Sequence, residues 1–180
     1  MSTPKHKLIA FAGPKGAGKS TAAGAFPDAT RVSFASPIRQ MLLALGVPEQ
    51  NLIDPSLKEA PMREFGNRSA RYLMQTLGKE WGRDLVSDNL WELVAVRLIK
   101  KALLVSDVVV DDCRFDNEAD AIHALGGVVI EVMRDGCRPS QAHESERGLS
   151  PSKVDRVILN ARDREFLYSY ARDAVKEVLP

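Results

Sequence analysis

Short apolar runs alternate with longer stretches of helical periodicity along this chain. The apolar runs predict strands at residues 7–12, 30–34, 107–112, 128–133 and 157–159. The periodic stretches predict six helices. The first runs from the first glycine-rich turn to about residue 25, and the next three lie near residues 38–45, 69–78 and 88–103. The fifth runs from residue 117 to the glycines at 126 and 127, and the last lies at the C-terminal end. Strands that alternate with helices form a parallel sheet with right-handed crossovers. We therefore predict an α/β three-layer sandwich, in which helices cover both faces of a five-stranded parallel sheet.

Two stretches carry turn-forming and charged residues in place of a periodic pattern. Residues 47–68 are rich in Pro, Asn, Asp and Arg, and they predict a loop or a mobile insertion. Residues 134–152 contain Gly, Pro, Arg and Ser throughout, and they predict a flexible, charged loop. Ser36 and Pro37 predict the cap and the first turn of the helix that follows them.

The first glycine-rich turn carries the strongest chemical signal. Residues 13–20 read Gly-Pro-Lys-Gly-Ala-Gly-Lys-Ser and match the P-loop pattern G-x-x-x-x-G-K-[ST] at every fixed position. The glycines allow successive backbone N–H groups to converge on phosphate oxygens, Lys19 is expected to bridge the β- and γ-phosphates, and Ser20 is expected to ligate Mg²⁺. The predicted ATP-binding residues of this loop are Gly13, Lys15, Gly16, Ala17, Gly18, Lys19 and Ser20.

The third predicted strand ends in two acidic residues, Asp111 and Asp112. An apolar strand that ends in Asp resembles a Walker B segment, whose carboxylate holds Mg²⁺ directly or through water. The alternative is that these two aspartates simply begin a turn at the end of the strand. The carboxyl ends of parallel strands meet at one edge of the sheet, so these carboxylates are expected near the P-loop.

The composition is that of a globular protein, because 44% of the 180 residues are hydrophobic, 27% are charged and the net charge is +1. This balance argues against a disordered chain and against a dedicated nucleic-acid or membrane-surface binder. No apolar run approaches the ~20 residues that span a bilayer. The run at residues 8–12 is shorter than the ~7–15-residue core of a signal peptide, so we expect a cytoplasmic protein. Cys113 and Cys137 match no metal or redox spacing and are expected to be reduced thiols.

Other classes of P-loop protein fit the chain less well. A GTPase switch needs a D-x-x-G segment, and no Asp in this chain has Gly three residues later. It also needs a guanine-binding N-K-x-D segment, and the nearest match is Ser-Lys-Val-Asp at residues 152–155, where Ser replaces Asn. The second polar sensor segment of an ATP-driven motor is also missing. A small-molecule kinase needs a region that binds the acceptor and a mobile lid that bears arginine, because water must be excluded before transfer.

Residues 36–103 and residues 134–152 match those two requirements, as in a nucleoside monophosphate kinase. We therefore expect a single P-loop kinase domain over residues 1–180. Its core comprises residues 1–35, 104–133 and 153–180, its helical acceptor-binding insertion residues 36–103, and its lid loop residues 134–152.

Four further segments resemble motifs of the tailed-bacteriophage deoxynucleoside monophosphate kinases, and the resemblance runs over residues 7–160. They are Phe-Ala-Ser-Pro-Ile-Arg at 34–39, Arg-Tyr-Leu-Met-Gln-Thr-Leu-Gly-Lys-Glu-Trp-Gly-Arg at 71–83, Asp-Cys-Arg-Phe-Asp-Asn-Glu at 112–118, and His-Glu-Ser-Glu at 143–146 followed by residues 155–160. Asp112 occupies the recurrent acidic position of its motif and is therefore preferred over Asp111. Ser20 stands where many members carry Asp. The resemblance implies transfer of a phosphoryl group from ATP to a deoxynucleoside 5′-monophosphate.

A monophosphate acceptor carries nearly two negative charges, so its pocket is expected to hold arginines, which grip phosphate bidentately. If residues 71–77 are helical, Arg71 and Gln75 share a face, and Gln75 is expected to read a base edge while Arg71 holds phosphate. Glu80 and Trp81 are expected at the turn that follows, near the sugar or base. The alternatives are solvated arginines and a packing role for Trp81. The predicted substrate-binding residues are Arg39, Arg71, Gln75, Glu80, Trp81, Arg83, Arg114, His143 and Glu146.

In the lid loop, Arg134 and Arg138 are expected to stabilise charge on the transferring phosphoryl group. The predicted catalytic residues are Lys19, Asp112, Arg134 and Arg138, and the predicted Mg²⁺ ligands are Ser20 and Asp112. Asn160, after the last strand, resembles a position near the adenine of ATP.

Two alternative functions stay open. One is another small-molecule P-loop kinase that acts on dephospho-coenzyme A, a sugar acid or a phosphorylated alcohol. The other is a nucleotide-binding module that hydrolyses ATP slowly and acts through a partner protein. We expect ATP, Mg²⁺ and a deoxynucleoside monophosphate as ligands, without stable nucleic-acid or membrane binding. The sequence leaves open the base preference and the oligomeric state, a homodimer included.

Overall fold

A computed structural model describes residues 6–137 and 147–179. The elements follow one another as β1 (Leu8–Ala12), α1 (Lys19–Ala23), β2 (Thr30–Val32), α2 (Ser36–Ala44), α3 (Glu49–Ile53), β3 (Pro61–Met62), β4 (Arg68–Ser69), α4 (Ala70–Thr76), a π-helix (Leu77–Val86), α5 (Leu90–Ala102), β5 (Val108–Val110), α6 (Asp116–Ala124), β6 (Val128–Met133), β7 (Arg156–Leu159) and α7 (Arg164–Val178). The chain divides into two compact units. We call Met1–Ser33 with Val96–Pro180 the sheet unit, and Phe34–Ala95 the helical unit.

The sheet unit is built on five strands in the order β2-β5-β1-β6-β7, and every pairing between neighbours is parallel. β1 lies at the centre because all of its five residues are buried and apolar, which suits a strand covered on both faces. Ile9 and Phe11 pack in one cluster with α1 and α7. Leu8 points the other way and approaches Ile122 of α6 at Gly127. The predicted five-stranded parallel sheet with helices around it is confirmed.

The helical unit packs around the buried side chains of α2, α3, α4 and α5. Its apolar cluster consists of Ile38, Leu42, Val47, Leu52, Met62, Ala70 and Trp91. α2 carries Pro37 in its first turn, as predicted. Ser36 does not cap this helix as predicted, because the N-cap is Ala35 and Ser36 already lies inside the helix. Within the described residues, no helix is both long enough and apolar enough to cross a bilayer.

Residues 47–68, predicted to form a loop or a mobile insertion, contain regular secondary structure, so the prediction of a loop is wrong. This stretch forms α3 and a two-stranded antiparallel sheet of β3 and β4. Val47, Leu52 and Met62 are each less than a tenth exposed, so apolar residues spaced between the turn formers anchor the segment to the core. Asn51 adds a hydrogen bond from Nδ2 to the Leu57 carbonyl oxygen, 3.2 Å away.

The prediction that the helix near residues 69–78 ends in a turn at Glu80 and Trp81 is also wrong. α4 passes directly into the π-helix, which continues to Val86. Glu80 and Trp81 therefore lie within a helical segment, and both are exposed. The glycines at 78 and 82 resemble helix stops in the sequence, but here they allow close packing and do not end the helix.

Candidate active site

The P-loop connects β1 to α1, and its glycines adopt backbone conformations that other residues rarely reach. Gly13, Gly16 and Gly18 have φ values of 126°, 82° and 105°. At Gly13 the loop also runs against β6, so that an added Cβ would lie 2.2 Å from the Val132 carbonyl oxygen. The fold of the loop therefore depends on glycine at position 13 for both its conformation and its space.

Lys19 is held inside the loop by two carbonyl groups. Its Nζ donates to the Gly13 oxygen at 2.7 Å and to the Pro14 oxygen at 2.8 Å. Burial, and after it the positive charge of Arg114, lowers the pKa of Lys19 from 10.5 to about 8, against the opposing effect of Asp111 and Asp112. The ammonium is thus placed where a phosphate would meet it, and its burial in the free protein favours the neutral form.

We predict that ATP binding at alkaline pH is coupled to proton uptake at Lys19. The free protein has lost part of this proton above pH 8, since the pKa is about 8, whereas triphosphate restores it by favouring the charged form. Binding of ATP should therefore be accompanied by little proton uptake at pH 7 and by uptake of about three-quarters of a proton at pH 8.5. The affinity for ATP should fall as the pH rises. Calorimetry in two buffers of different ionisation enthalpy measures this uptake. Lys19→Met is the control, and equal uptake in that variant would contradict the assignment.

Asp112 lies buried at the carboxyl end of β5, 9% exposed, where a hydroxyl group fixes its orientation. Ser33 follows β2, which pairs directly with β5, and its Oγ donates to Asp112 Oδ2 at 2.5 Å. Asp111 directly follows the strand and is half-buried. The sequence reasoning missed Ser33, although a polar residue at the carboxyl end of a parallel strand is a signal for a site residue.

Arg114 lies at the cleft beside the P-loop, and a buried carboxylate orders its backbone. Glu118, only 3% exposed, accepts hydrogen bonds from the backbone N–H groups of Arg114 at 2.8 Å and Phe115 at 3.3 Å. The sequence reasoning missed this role, which the position of Glu118 in the first turn of α6 could have indicated. The cleft is lined by Gly13, Pro14, Lys15, Lys19, Cys113, Arg114, Gly148 and Leu149.

Asn160 contacts the P-loop directly from the end of β7. Its side-chain Nδ2 donates to the Ala17 carbonyl oxygen at 2.9 Å, and its backbone N–H donates to the Met133 oxygen at 2.7 Å. A Cβ at Gly18 would lie 2.5 Å from the same Nδ2. The loop is therefore supported on one side by β6 and on the other by this amide.

The lid loop is described only at its two ends. Arg134 follows β6 and is exposed, while Arg138, His143 and Glu146 lie outside the described residues. The returning end is bound to α6: the Asp116 carboxylate accepts from both the backbone N–H and the hydroxyl of Ser150, at 2.9 and 2.5 Å. These hydrogen bonds lower the pKa of Asp116. They also fix the chain next to Gly148 and Leu149, which line the cleft.

The remaining predicted residues belong to the helical unit. Arg39 lies half-buried on α2, Arg71 and Gln75 lie half-buried on α4 as i,i+4 neighbours, and Glu80, Trp81 and Arg83 lie on the π-helix. Arg71 is paired with a carboxylate, with its Nε 2.5 Å from Glu59 Oε1. The Nε–H is not directed at that oxygen, so the contact is a charge pair and not an aligned hydrogen bond.

The donors near the P-loop suit a hard cation. Ser20 offers a hydroxyl at the start of α1, and Asp112 offers a carboxylate. Among the residues that the structure describes, no three acidic, histidine or cysteine side chains converge as a metal cage. Mg²⁺ in phosphoryl-transfer sites typically uses one or two protein ligands together with water and substrate phosphates, so this sparse oxygen set fits it.

The sequence comparisons with known proteins fall in one family. The family described as deoxynucleotide monophosphate kinase matches residues 56–170. A protein of Acanthamoeba polyphaga mimivirus, provisionally named deoxynucleotide monophosphate kinase, is 33% identical over 178 residues, or 90% of this chain and 92% of that protein. The deoxynucleotide monophosphate kinase of Enterobacteria phage T4 is 34% identical over 114 residues, or 60% of this chain and 46% of the phage protein. A crystal structure of a Chloroflexus aurantiacus protein, provisionally titled a kinase, has a TM-score of 0.49 at 13% identity and covers 98% of this chain and 100% of that one.

Proposed function

The chain belongs to the deoxynucleotide monophosphate kinase family, and we therefore propose that it transfers the γ-phosphoryl group of ATP to a deoxynucleoside 5′-monophosphate. The products are the deoxynucleoside diphosphate and ADP. One structural observation carries the donor half of this proposal, namely Lys19 held by two carbonyls inside a loop whose glycines have positive φ. The family membership favours this function over another small-molecule kinase or a module without an acceptor.

The donor site is assigned to the sheet unit. The P-loop backbone from Gly13 to Ser20 binds the triphosphate, with Lys19 on the β- and γ-phosphates, and Asn160 supports the loop through its bond to Ala17. Ser20 and Asp112 would hold Mg²⁺, which when bound neutralises charge on the β- and γ-phosphates. Ser33 keeps the Asp112 carboxylate in a single orientation for that task.

The acceptor site is assigned to arginines and to the residues around them. Arg71 binds the acceptor phosphate, because a guanidinium offers paired donors that match two phosphate oxygens. Gln75, one turn along α4, reads an edge of the base, and Arg39, Glu80, Trp81 and Arg83 complete the pocket. Arg114 at the cleft is the remaining candidate for phosphate.

The transfer itself needs charge stabilisation more than proton chemistry. The attacking phosphate oxygen of the acceptor is already ionised, so no general base is required. Lys19, with Arg134 and Arg138 of the lid loop, stabilises charge on the transferring group. The Asp116–Ser150 hydrogen bonds hold the returning end of that loop against α6.

A panel of acceptors tests this proposal. The purified protein, with ATP and Mg²⁺, is given each of the four deoxynucleoside monophosphates, the ribonucleotides and dephospho-coenzyme A, and ADP release is followed in a coupled assay. We expect turnover of at least one deoxynucleotide at about 1–100 s⁻¹, the usual range for kinases. Reactions without acceptor measure ATP hydrolysis, and reactions with EDTA measure the need for Mg²⁺. Turnover of dephospho-coenzyme A alone, or of no acceptor, would contradict the proposal.

A further inference from the structure

The π-helix Leu77–Val86 has an unusual geometry for its length. π-helical structure normally occurs as single turns within α-helices and is often found at functional sites, whereas here it continues for 10 residues. The wider register of the π-helix also appears in two of its contacts. The Ser87 N–H donates to the Gly82 oxygen at 2.9 Å, and Lys79 Nζ pairs with Asp84 Oδ1 at 3.0 Å, both five residues apart.

One side chain from outside the π-helix binds its backbone. Trp91 of α5 is 4% exposed, and its indole Nε1 donates to the Gly78 carbonyl oxygen at 2.7 Å. The same ring covers Gly82 so closely that an added Cβ would lie 2.4 Å from Nε1 and 2.5 Å from Cε2. It also contacts the ring of Trp81, with centroids 6.0 Å apart. Trp91 thus supplies both a hydrogen-bond donor and a flat apolar surface to the π-helix, on the side where Gly78 and Gly82 have no side chains to cover the backbone.

The π-helix carries three of the residues that we assign to the acceptor. Glu80, Trp81 and Arg83 lie two, three and five residues after Gly78, and the wider turn rotates them away from the directions that a continued α4 would give. We propose that Trp91 is a positioning residue for the acceptor nucleotide: its indole holds Leu77–Val86 in π-helical form and so directs these side chains. This inference rests on the proposed function, since it presumes that the helical unit binds the acceptor.

Two substitutions separate the effect of the Trp91 hydrogen-bond donor from the effect of its apolar surface. Trp91→Phe keeps an aromatic ring and removes the N–H, so the Gly78 carbonyl loses its indole partner. We expect the KM for the deoxynucleotide to rise about fivefold, the effect of one hydrogen bond, with the KM for ATP and kcat each within twofold of wild type. Gly82→Ala forces the ring away from the backbone and should raise the acceptor KM by about tenfold or more. Leu52→Val is the control, because Leu52 belongs to the same apolar cluster and carries no assigned site role.

A purely structural role for Trp91 predicts a different result. It would lower the melting temperature in Trp91→Phe and Leu52→Val alike and would leave the acceptor KM unchanged in both, which would overturn the inference. If wild type turns over no deoxynucleotide, the proposed function and this inference both fail. If wild type is active and Trp91→Phe has an unchanged acceptor KM, only this inference fails.

A measurement on wild type keeps the inference testable if neither variant folds. The chain has two tryptophans, so a ¹⁵N-labelled sample gives two indole N–H resonances. Addition of the deoxynucleotide should shift both resonances, since Trp81 lies in the assigned pocket and Trp91 holds the segment that bears it. ATP alone should leave them in place. A deoxynucleotide that is phosphorylated yet leaves the Trp91 resonance unmoved would overturn the inference.

Discussion

Lys19→Met is expected to lower kcat for deoxynucleotide phosphorylation by roughly 10³-fold, because a full charge that faces the developing charge of the transferring phosphate is removed. The melting temperature should stay equal or rise. Burial lowers the pKa of Lys19 to about 8 in the free protein, so burying the charged ammonium costs folding free energy. An apolar side chain of similar length avoids that cost. Steady-state kinetics and thermal unfolding on the same sample measure both quantities.

Two further variants show whether charge alone explains the loss. Lys19→Arg keeps the charge but presents a planar fork in place of a compact ammonium, so it should remain strongly impaired. Lys101→Met removes an exposed lysine of α5 and should leave kcat unchanged. Retention of a tenth of wild-type kcat by Lys19→Met would contradict the role given to this residue.

Arg71→Ala is expected to raise the KM for the deoxynucleotide by about 10- to 100-fold, the effect of losing charge-assisted hydrogen bonds to phosphate. The KM for ATP should change little, because the residues assigned to ATP lie in the other unit. Arg71→Lys should recover only part of the loss, since a lysine cannot bind two phosphate oxygens through a rigid fork. Steady-state kinetics with each substrate varied in turn measure both constants.

Glu59→Gln is the matched control for Arg71. Glu59 forms the charge pair with Arg71, and its side chain is 58% exposed, so the pair itself contributes about 0–1 kcal/mol. If Arg71 serves only to pair with Glu59, the two single variants should behave alike. We expect instead that Glu59→Gln keeps the acceptor KM near wild type. Equal kinetic defects in both variants would argue against Arg71 as a phosphate ligand.

The sequence predicted those parts of the structure that depend only on residues close together along the chain. The P-loop is a contiguous motif whose glycines must adopt positive φ, and the apolar run at Val108–Val110 must be buried on both faces, so both could be recognised from residues 13–20 and 107–112 alone.

Features that depend on distant contacts were not predictable from local patterns. Ser33 meets Asp112 across 79 positions of sequence, so its place after a strand could mark it as a site residue but could not identify its partner. The π-helix depends on the Trp91 indole, 13 positions after the carbonyl that it binds. The segment at residues 47–68 was misjudged for a related reason, since its turn formers outnumber the few apolar residues, such as Leu52, that fix it to the core.

The position of β1 in the sheet sets an order of events during synthesis. Its pairing partners are β5 and β6, as in Leu8 with Val108 and Ile9 with Val128, so the ribosome makes this strand long before either neighbour exists. The helical unit is one continuous stretch of chain and has no such delay. Pairing over long sequence distances is slow, because the entropy of closing the loop is lost before any contact forms. The phosphate-binding turn is therefore translated well before both strands that flank β1, and ATP, the proposed ligand, would stabilise it only once those strands have paired.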